Sequence, residues 1–594
     1  MARYIQSNIP SPNKIFSFTL GNFVGGLNNR DYDPEENQCT SVMNMSFTND
    51  GVMEKRRGTT WYDTLDLGDE EVTWIDEFKP HKEDNILIRA TKTKLYFGGT
   101  LIANIDGQFH GTNYESKYFF GDSNKLYAYG KFDTENSEYV KIIGTAVADY
   151  VLMEVVSPPE GFTPKPNPHI EGVRNVDYTN RKVWYEPCAY EIADEFKGAN
   201  VVPEGPRFFA LREGRMYVAG SDDNDDTVYI TDSGNPYYFP VVLSLQVPPN
   251  SDRVSGLAVY NDSIVVGRRL DLHVITGDTN RTDAGLPVYR LKKLNSHTGV
   301  SSQRTMVNVH NHLYFLGTDS HVYALRGTDY TLEQMLTVPL TRTVDIHAKP
   351  ISVQKDDIWT ACAIFFNDSY YLSIGDKILV YHYLHQAWTV YNQINARSFY
   401  VLFNVLLMGN NKGRTLMPSE DHLDLGKPFR GHWTSKYLTM GEQSSFKMFR
   451  DFFIVSRTSS QFVTRVNVLF EVDYVDLADS VDIDTSMAIW GSSHFGDTFI
   501  TREVNASSDF LIYRRGRGIK ITFWNGDYES GRVEKVEDLI NVANITDGML
   551  IYVEEEEDYY VHEGSVWKVA DDFMINQGMC VLETSGEYEF KWKR

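Results

Sequence analysis

Along the middle of the chain, apolar and aromatic residues come in short runs, each broken by a cluster of Gly, Asp or Asn and followed by a second run. Hardly anything recurs at the 3.6-residue spacing of a helix, so the pattern predicts strands joined by tight turns. Seven such hairpins stand out. They are "KLYFGGTLIANI" from Lys94, "KLYAYGKFDTENSEYVKI" from Lys125, "RMYVAGSDDNDDTVYI" from Arg215, "SIVVGRRLDLHVIT" from Ser263, "HLYFLGTDSHVYAL" from His312, "YYLSIGDKILVYHY" from Tyr370 and "VLLMGNNKGRTLMP" from Val405. Their turn residues reach positive φ at little steric cost.

A lone hairpin is only marginally stable, and hairpins repeating every ~40–50 residues are the sequence signature of four-stranded propeller blades. The expected fold is all-β. A β-propeller of about six to eight irregular blades would occupy residues 61–149 and 206–425, burying the hairpin faces by radial packing. An insertion at 150–205 contains the Pro-rich "VVSPPEGFTPKPNPHIEG", through which no packed strand can run. Beyond Pro418 the strands lengthen, as in "FRDFFIVSRT", "FVTRVNVLFEVDYVDL" and "FLIYRRGRGIKITFWN". They predict an antiparallel β-sandwich platform at 426–535, a C-terminal β-extension at 536–594, and an extended N-terminal arm at 1–60.

Composition agrees: aromatics make up 13% of the 594 residues, and they favour pleated, half-buried surfaces. A net charge of −24 repels polyanions and argues against general nucleic-acid binding. Cys39, Cys188, Cys362 and Cys580 lie far apart without CxxC spacing, so neither a zinc site nor a disulfide framework is expected. The N-terminus has no signal-like apolar run and no stretch approaches the ~18 apolar residues of a membrane helix. The expectation is a soluble chain made in a cytosol.

Catalytic signatures are missing: there is no GxxxxGK[ST], GxSxG or HExxH. "SDDNDDT" from Ser221 lacks the glycine and the distal Glu of a calcium loop and reads as a solvated hairpin tip. His312 and His321 stand at strand starts and read as hydrogen-bonded or solvent-facing. No catalytic residue, cofactor or metal is expected, and the chain does not read as an enzyme. Two basic clusters remain, Lys55-Arg56-Arg57 and Arg514-Arg515-Gly516-Arg517. Either could grip phosphate, but in so acidic a chain they read as anchors between subunits or domains.

One early stretch, "FVGGLNNRDYDPEENQCTSVMNMSFTNDGVMEKRRGT", is dense in turn residues. In order it carries Phe23, Gly25, Gly26, Leu27, Asn28, Arg30, Asp31, Pro34, Gln38, Asn44, Gly51, Lys55, Arg56 and Gly58. Together with "VYITDSGNPYYFP" and the blade-like runs that follow, this order resembles the tail tubular protein B, or nozzle, family of short-tailed phages, and more loosely the hub and DNA-stabilisation proteins beneath a portal. Arg57 stands where that family usually has Pro.

The resemblance covers roughly residues 20–525. It implies a structural protein of the virion tail, made in the host cytoplasm and assembled as a homo-oligomeric, hexameric ring. The ring would extend the portal channel, with DNA passing through the lumen without specific binding. Its implied partners are portal-proximal adaptor proteins on one side and tail fibres or distal tail proteins on the other. Gly25, Gly26, Asn28, Arg30, Pro34, Gly51 and Gly58 would be the turn residues of its motif. The alternative is a host-glycan-binding or glycan-degrading tail protein, for which Trp388 is a candidate stacking residue, although an aromatic within such a strand reads first as core.

Overall fold

The computed structural model describes residues 15–131, 150–155, 201–483 and 505–533 apart from short gaps, with strands at 174–177, 182–185, 550–553, 558–563, 566–569 and 580–590. The fold is all-β. Among the described residues, seven sheets of four or more strands follow one another between Thr59 and Pro428, each a propeller blade, with a two-stranded sheet of Arg174–Asp177 and Lys182–Tyr185 between the second and third. Blade 1 runs from strand Trp74–Phe78 to Thr100–Asn104, blade 2 from His110–Tyr114 to Tyr150–Glu154, and blade 3 from Phe208–Arg212 to Leu245–Gln246. Blade 4 runs from Val254–Tyr260 to Pro287–Lys293, blade 5 from Val307–Val309 to Leu336–Pro339, and blade 6 from Cys362–Phe366 to Ala387–Tyr391. Blade 7 begins with Ala396–Leu402, Val405–Asn410 and Thr415–Pro418 and takes its next strand from upstream, where Trp61 of Thr59–Trp61 lies opposite Leu416.

The hairpins from Arg215, Ser263, His312, Tyr370 and Val405 are the second and third strands of blades 3 to 7. Between first and second strands the turns are Asn261-Asp262, Asn367-Asp368 and Phe403-Asn404, with positive φ at both residues of each, as hairpin twist favours. Two hairpins differ from the sequence reading. That from Lys94 joins the third and fourth strands of blade 1. That from Lys125 pairs Leu126–Lys131 with Tyr150–Glu154, so residues 150–154 belong to blade 2 and not to an insertion. Buried Tyr150 and Leu152 alternate there towards the blade 1–blade 2 core. The proline-rich stretch from Ser157 to Gly172 lies outside the described residues.

Seven apolar seams close the ring. Phe78 meets Tyr118 and Tyr129 between blades 1 and 2, and Phe119 and Phe209 share the core between blades 2 and 3. Tyr217 packs with Leu257 and Ile264, Val265 with Phe315, Tyr314 with Tyr370, and Ile378 with Leu406. Leu67, Val72, Ile75 and Tyr400 form the seam between blades 7 and 1.

The second module is a sandwich of two six-stranded sheets. Ile519–Asn525 alternates strictly between buried and half-buried positions, the pattern of a strand with one face on a core. Phe523 stacks on Trp433 at 5.8 Å and on Phe452 at 6.0 Å, and Phe452 meets Phe470 edge-on at 4.9 Å.

The sandwich extends beyond 426–535. The N-terminal residues are not a separate arm: Ile15–Leu20, Gln38–Met43, Met45–Phe47 and Met53–Lys55 are strands of its two sheets. The last strand, Cys580–Phe590, does not belong to a separate extension either, because it runs between Lys447–Arg457 on one side and Ile15–Leu20 on the other. Buried strands need partners on both edges, and these come from opposite ends of the sequence. A separate four-stranded sheet holds the strands from Glu529–Val533 to Val566–Val569. The propeller is thus inserted into the sandwich.

Trp61, on the closing strand, packs half-buried against the blade 6–blade 7 seam with the Arg414 guanidinium 4.7 Å from its ring. Trp61→Ala should cost about 2–3 kcal/mol in denaturant unfolding, with faster amide exchange over 405–418. Unchanged stability and exchange would show that the ring closes without this strand.

Candidate functional site

The stretch from Phe23 to Thr59 is the joint between the modules. Its centre is Arg56, which is 4% exposed. An arginine has five N–H donors in a rigid fork and no acceptor, and all five are used. Nε donates to Asn44 Oδ1 at 3.0 Å, and one terminal nitrogen to the Arg57 carbonyl at 3.0 Å and Asp424 Oδ1 at 2.9 Å. The other donates to the Asn392 carbonyl at 3.1 Å and to Asp424 Oδ2. The guanidinium lies 3.8 Å from the centre of the Phe429 ring. Asn44 belongs to the sandwich, Asn392 follows blade 6, and Asp424 lies beside blade 7.

Asn44 completes the knot. Held at φ 55°, a conformation Asn tolerates better than most residues, it donates from its backbone to the Val390 carbonyl at 2.7 Å. Its Nδ2 donates to Asn392 Oδ1 at 2.6 Å and the Arg430 carbonyl at 2.8 Å. Lys55, 2% exposed, places Nζ 3.4 Å from Asn525 Oδ1 and 4.5 Å from the Phe429 ring centre. Arg57 is exposed. The first basic cluster is therefore divided: Lys55 and Arg56 point into the joint and Arg57 out of it.

The motif's turn residues shape the same region. Gly58 donates to the Asp421 carbonyl at 2.7 Å, and a Cβ there would lie 1.9 Å from the Leu423 carbonyl oxygen. Gly26 has φ +68°, and a Cβ there would meet Ala387 and the Trp388 backbone at 2.8 Å, so blade 6 packs directly on the loop. Gly25 donates to the Asn37 carbonyl and Gly51 turns the Thr48–Val52 hairpin. Asn28 Oδ1 accepts from the Arg30 and Asp31 backbones, while its Nδ2 donates to Asp31 and Gln38. The Pro34 carbonyl accepts from Lys436 Nζ at 2.6 Å. Arg30 reaches out to His321 Nε2 at 2.7 Å.

Arg514, Arg515 and Arg517 are exposed on the sandwich, remote in sequence from these residues, with Arg515 and Arg517 over the Phe446 ring at 4.9 and 5.1 Å. The acidic run at 554–557 lies outside the described residues. Trp388 is 2% exposed and donates to the Leu340 carbonyl at 3.0 Å, so it is core and offers no stacking surface. Sequence reasoning missed Asp424 and Asn29. Asn29 exchanges hydrogen bonds with Asp345 and donates to the Lys349 carbonyl, and only its place inside the motif marked it.

A second feature ties the innermost strands of several blades together. Arg304, just before the inner strand of blade 5, donates to the carbonyls of Thr73, Arg397 and Thr360, where blades 1, 7 and 6 begin. Gln303 beside it bonds the Phe209 carbonyl and the Leu257 backbone of blades 3 and 4. No group of His, Cys, Asp and Glu that could hold a metal occurs among the described residues, and no described helix is long and apolar enough to cross a membrane.

These features define an all-β protein in which a closed seven-bladed propeller is clamped to the sandwich that carries it. No protein-family model matches the chain, and no curated protein matches it. Solved structures similar to it include the computationally designed Ika8 protein, 11% identical, covering 59% of this chain and 97% of that one with a TM-score of 0.32. The WD40 domain of Neurospora crassa Pan2 is 11% identical over 62% of this chain and 96% of that one, with a TM-score of 0.30. An exo-β-1,3-galactanase from Phanerochaete chrysosporium is 8% identical over 64% and 94%, with a TM-score of 0.22.

Removing Arg56 leaves Asp424 buried and unpaired. Arg56→Leu should therefore cost about 3–5 kcal/mol in urea unfolding, whereas Arg57→Leu should change stability by less than about 0.5 kcal/mol. Equal effects would deny the joint its special role.

His422, 6% exposed, donates from Nδ1 to the Arg56 carbonyl at 2.9 Å. Burial pulls its pKa from 6.5 down to about 4. Since the unfolded chain takes up the proton first, this contribution to stability is full above pH 6.5 and is lost as the pH falls towards 4. His422→Gln should flatten the melting temperature across that window; an unchanged pH profile would contradict it.

Proposed function

We propose that the chain is a structural subunit of a phage tail, which assembles with copies of itself into a ring extending the portal channel for DNA. The observation that carries this reading is the joint. The residues whose order resembles the nozzle family, from Phe23 to Gly58, are the ones that clamp the propeller to the sandwich. A ring subunit must transmit load without hinging, and a buried guanidinium with every donor satisfied resists hinging because opening it exposes an unpaired charge.

Two further features support the reading. Arg304 ties the inner strands of blades 1, 6 and 7 to blade 5 across the propeller's centre, which favours a DNA conduit formed between subunits, with the propeller peripheral and available to fibres or neighbouring tail proteins. Arg514, Arg515 and Arg517 lie exposed on the sandwich, and a net charge of −24 supplies carboxylates on a neighbour. Closed rings need heterologous interfaces of this complementary kind. The same charge would keep DNA from sticking to the lumen.

Electron microscopy of the purified protein should reveal closed, six-fold rings with an open centre, and these should have no measurable affinity for duplex DNA at low salt. Replacing Arg514, Arg515 and Arg517 together by Glu should abolish the rings while leaving the thermal melt of the subunit unchanged. A monomer, a trimeric spike or tight duplex binding would overturn the proposal.

A further inference from the structure

At the mouth of the propeller, beside Gln303 where the inner strands begin, lies a cavity of about 350 Å³ lined from blades 2 to 6. Three arginines from two adjacent blades line it: Arg207 enters blade 3, Arg253 enters blade 4, and Arg269 lies in the turn after Ser263–Arg268 of blade 4. Such like charges gather only at a cost, and these are incompletely paired. Arg207 bonds Asp222. Arg269 lies 4.9 Å from the ring centre of Trp359, but neither its guanidinium nor that of Arg253 has a hydrogen bond or ion pair among the described residues. Partial desolvation, then the charges of Arg269 and Arg207, lowers the pKa of the exposed Arg253 against the opposing pull of Asp225 and Asp252.

Two further groups point to a ligand. His110, 3% exposed, lines the cavity, and its Nδ1 has no hydrogen-bond partner. Burial, followed by the charge of Arg304, holds the ring neutral by drawing its pKa down to about 3. An unpaired polar atom at such depth is a standing cost unless something occupies the cavity. Trp359, 37% exposed, presents one of the few open aromatic surfaces on the propeller.

We propose that this mouth binds an acidic sugar, a saccharide ring carrying one carboxylate. The lining contains three guanidinium groups and two carboxylates, those of Asp222 and Asp225, leaving one excess positive charge. That balance suits a monoanion. A polyphosphate or a nucleic acid would bring more negative charge than the mouth offsets and would meet both Asp side chains. A uronic acid meets each group in turn: its carboxylate takes the Arg253 and Arg269 donors, its ring covers Trp359, and its hydroxyls satisfy the Asp carboxylates and His110 Nδ1. The site is independent of the ring reading and would give a peripheral propeller an uronate-bearing polysaccharide to hold.

Titration calorimetry of the full chain with glucuronate and galacturonate tests this, with glucose and inorganic phosphate as the contrasting probes. At least one uronate should bind, at least about tenfold more tightly than glucose or phosphate. Arg253→Ala and Trp359→Ala should each weaken binding about tenfold. Arg253 is exposed, so its variant should melt like the wild type, and the melt is measured alongside. Absence of uronate binding to folded protein, tighter binding of phosphate, or affinity unaffected by Arg253→Ala would each overturn the proposal.

Discussion

One buried guanidinium sets the relation between the two halves of this molecule. Removing a charge from water is expensive, and the cost is met only when every donor finds an acceptor in the right plane. Arg56 finds its acceptors on three separate pieces of chain: the sandwich at Asn44, the end of blade 6 at Asn392, and the blade 7 edge at Asp424. Movement of any one piece strands the charge, so the joint has a single good arrangement. The apolar contacts around it, such as Trp388 and Leu27 within one continuous core, add energy without the same directional demand.

The propeller needs such a clamp because its outer surfaces are largely self-sufficient. Its seven seams are filled by its own side chains, except at blades 5 and 6, whose core runs on into the sandwich. The closing strand Thr59–Trp61 lies only a few residues from Arg56. Ring closure and module docking are thus two results of fixing one short segment.

The sequence disclosed the fold unevenly, for physical reasons. Second and third strands are apolar on both faces and meet across tight Gly, Asn or Asp turns, so runs such as "YYLSIGDKILVYHY" declare themselves. Inner strands such as His110–Tyr114, "HGTNY", are short and polar, and nothing in their pattern marks them. Periodicity identifies a strand without naming its neighbour, which is why Tyr150–Glu154 and Cys580–Phe590 were misplaced. In the joint, Lys55-Arg56-Arg57 was visible as a cluster, but composition cannot separate a buried guanidinium from an exposed one. Asp424 lies more than three hundred residues away in an unremarkable "HLDLGK". The three mouth arginines come from two neighbouring blades, and only the packing of blade 3 on blade 4 brings Arg207 to Arg253 and Arg269.

The final strand has a consequence for the order in which the molecule is made. Ile15–Leu20 emerges from the ribosome long before the strand beside it, Cys580–Phe590. The propeller is complete in sequence by Pro428, so it is free to close while the sandwich still lacks an interior strand. During that interval the unpaired edges of Ile15–Leu20 and Lys447–Arg457 are open to other chains, and a second copy is as good a template as the missing segment. Synthesis of that eleven-residue strand marks the point at which each chain stops being a hazard to its neighbours.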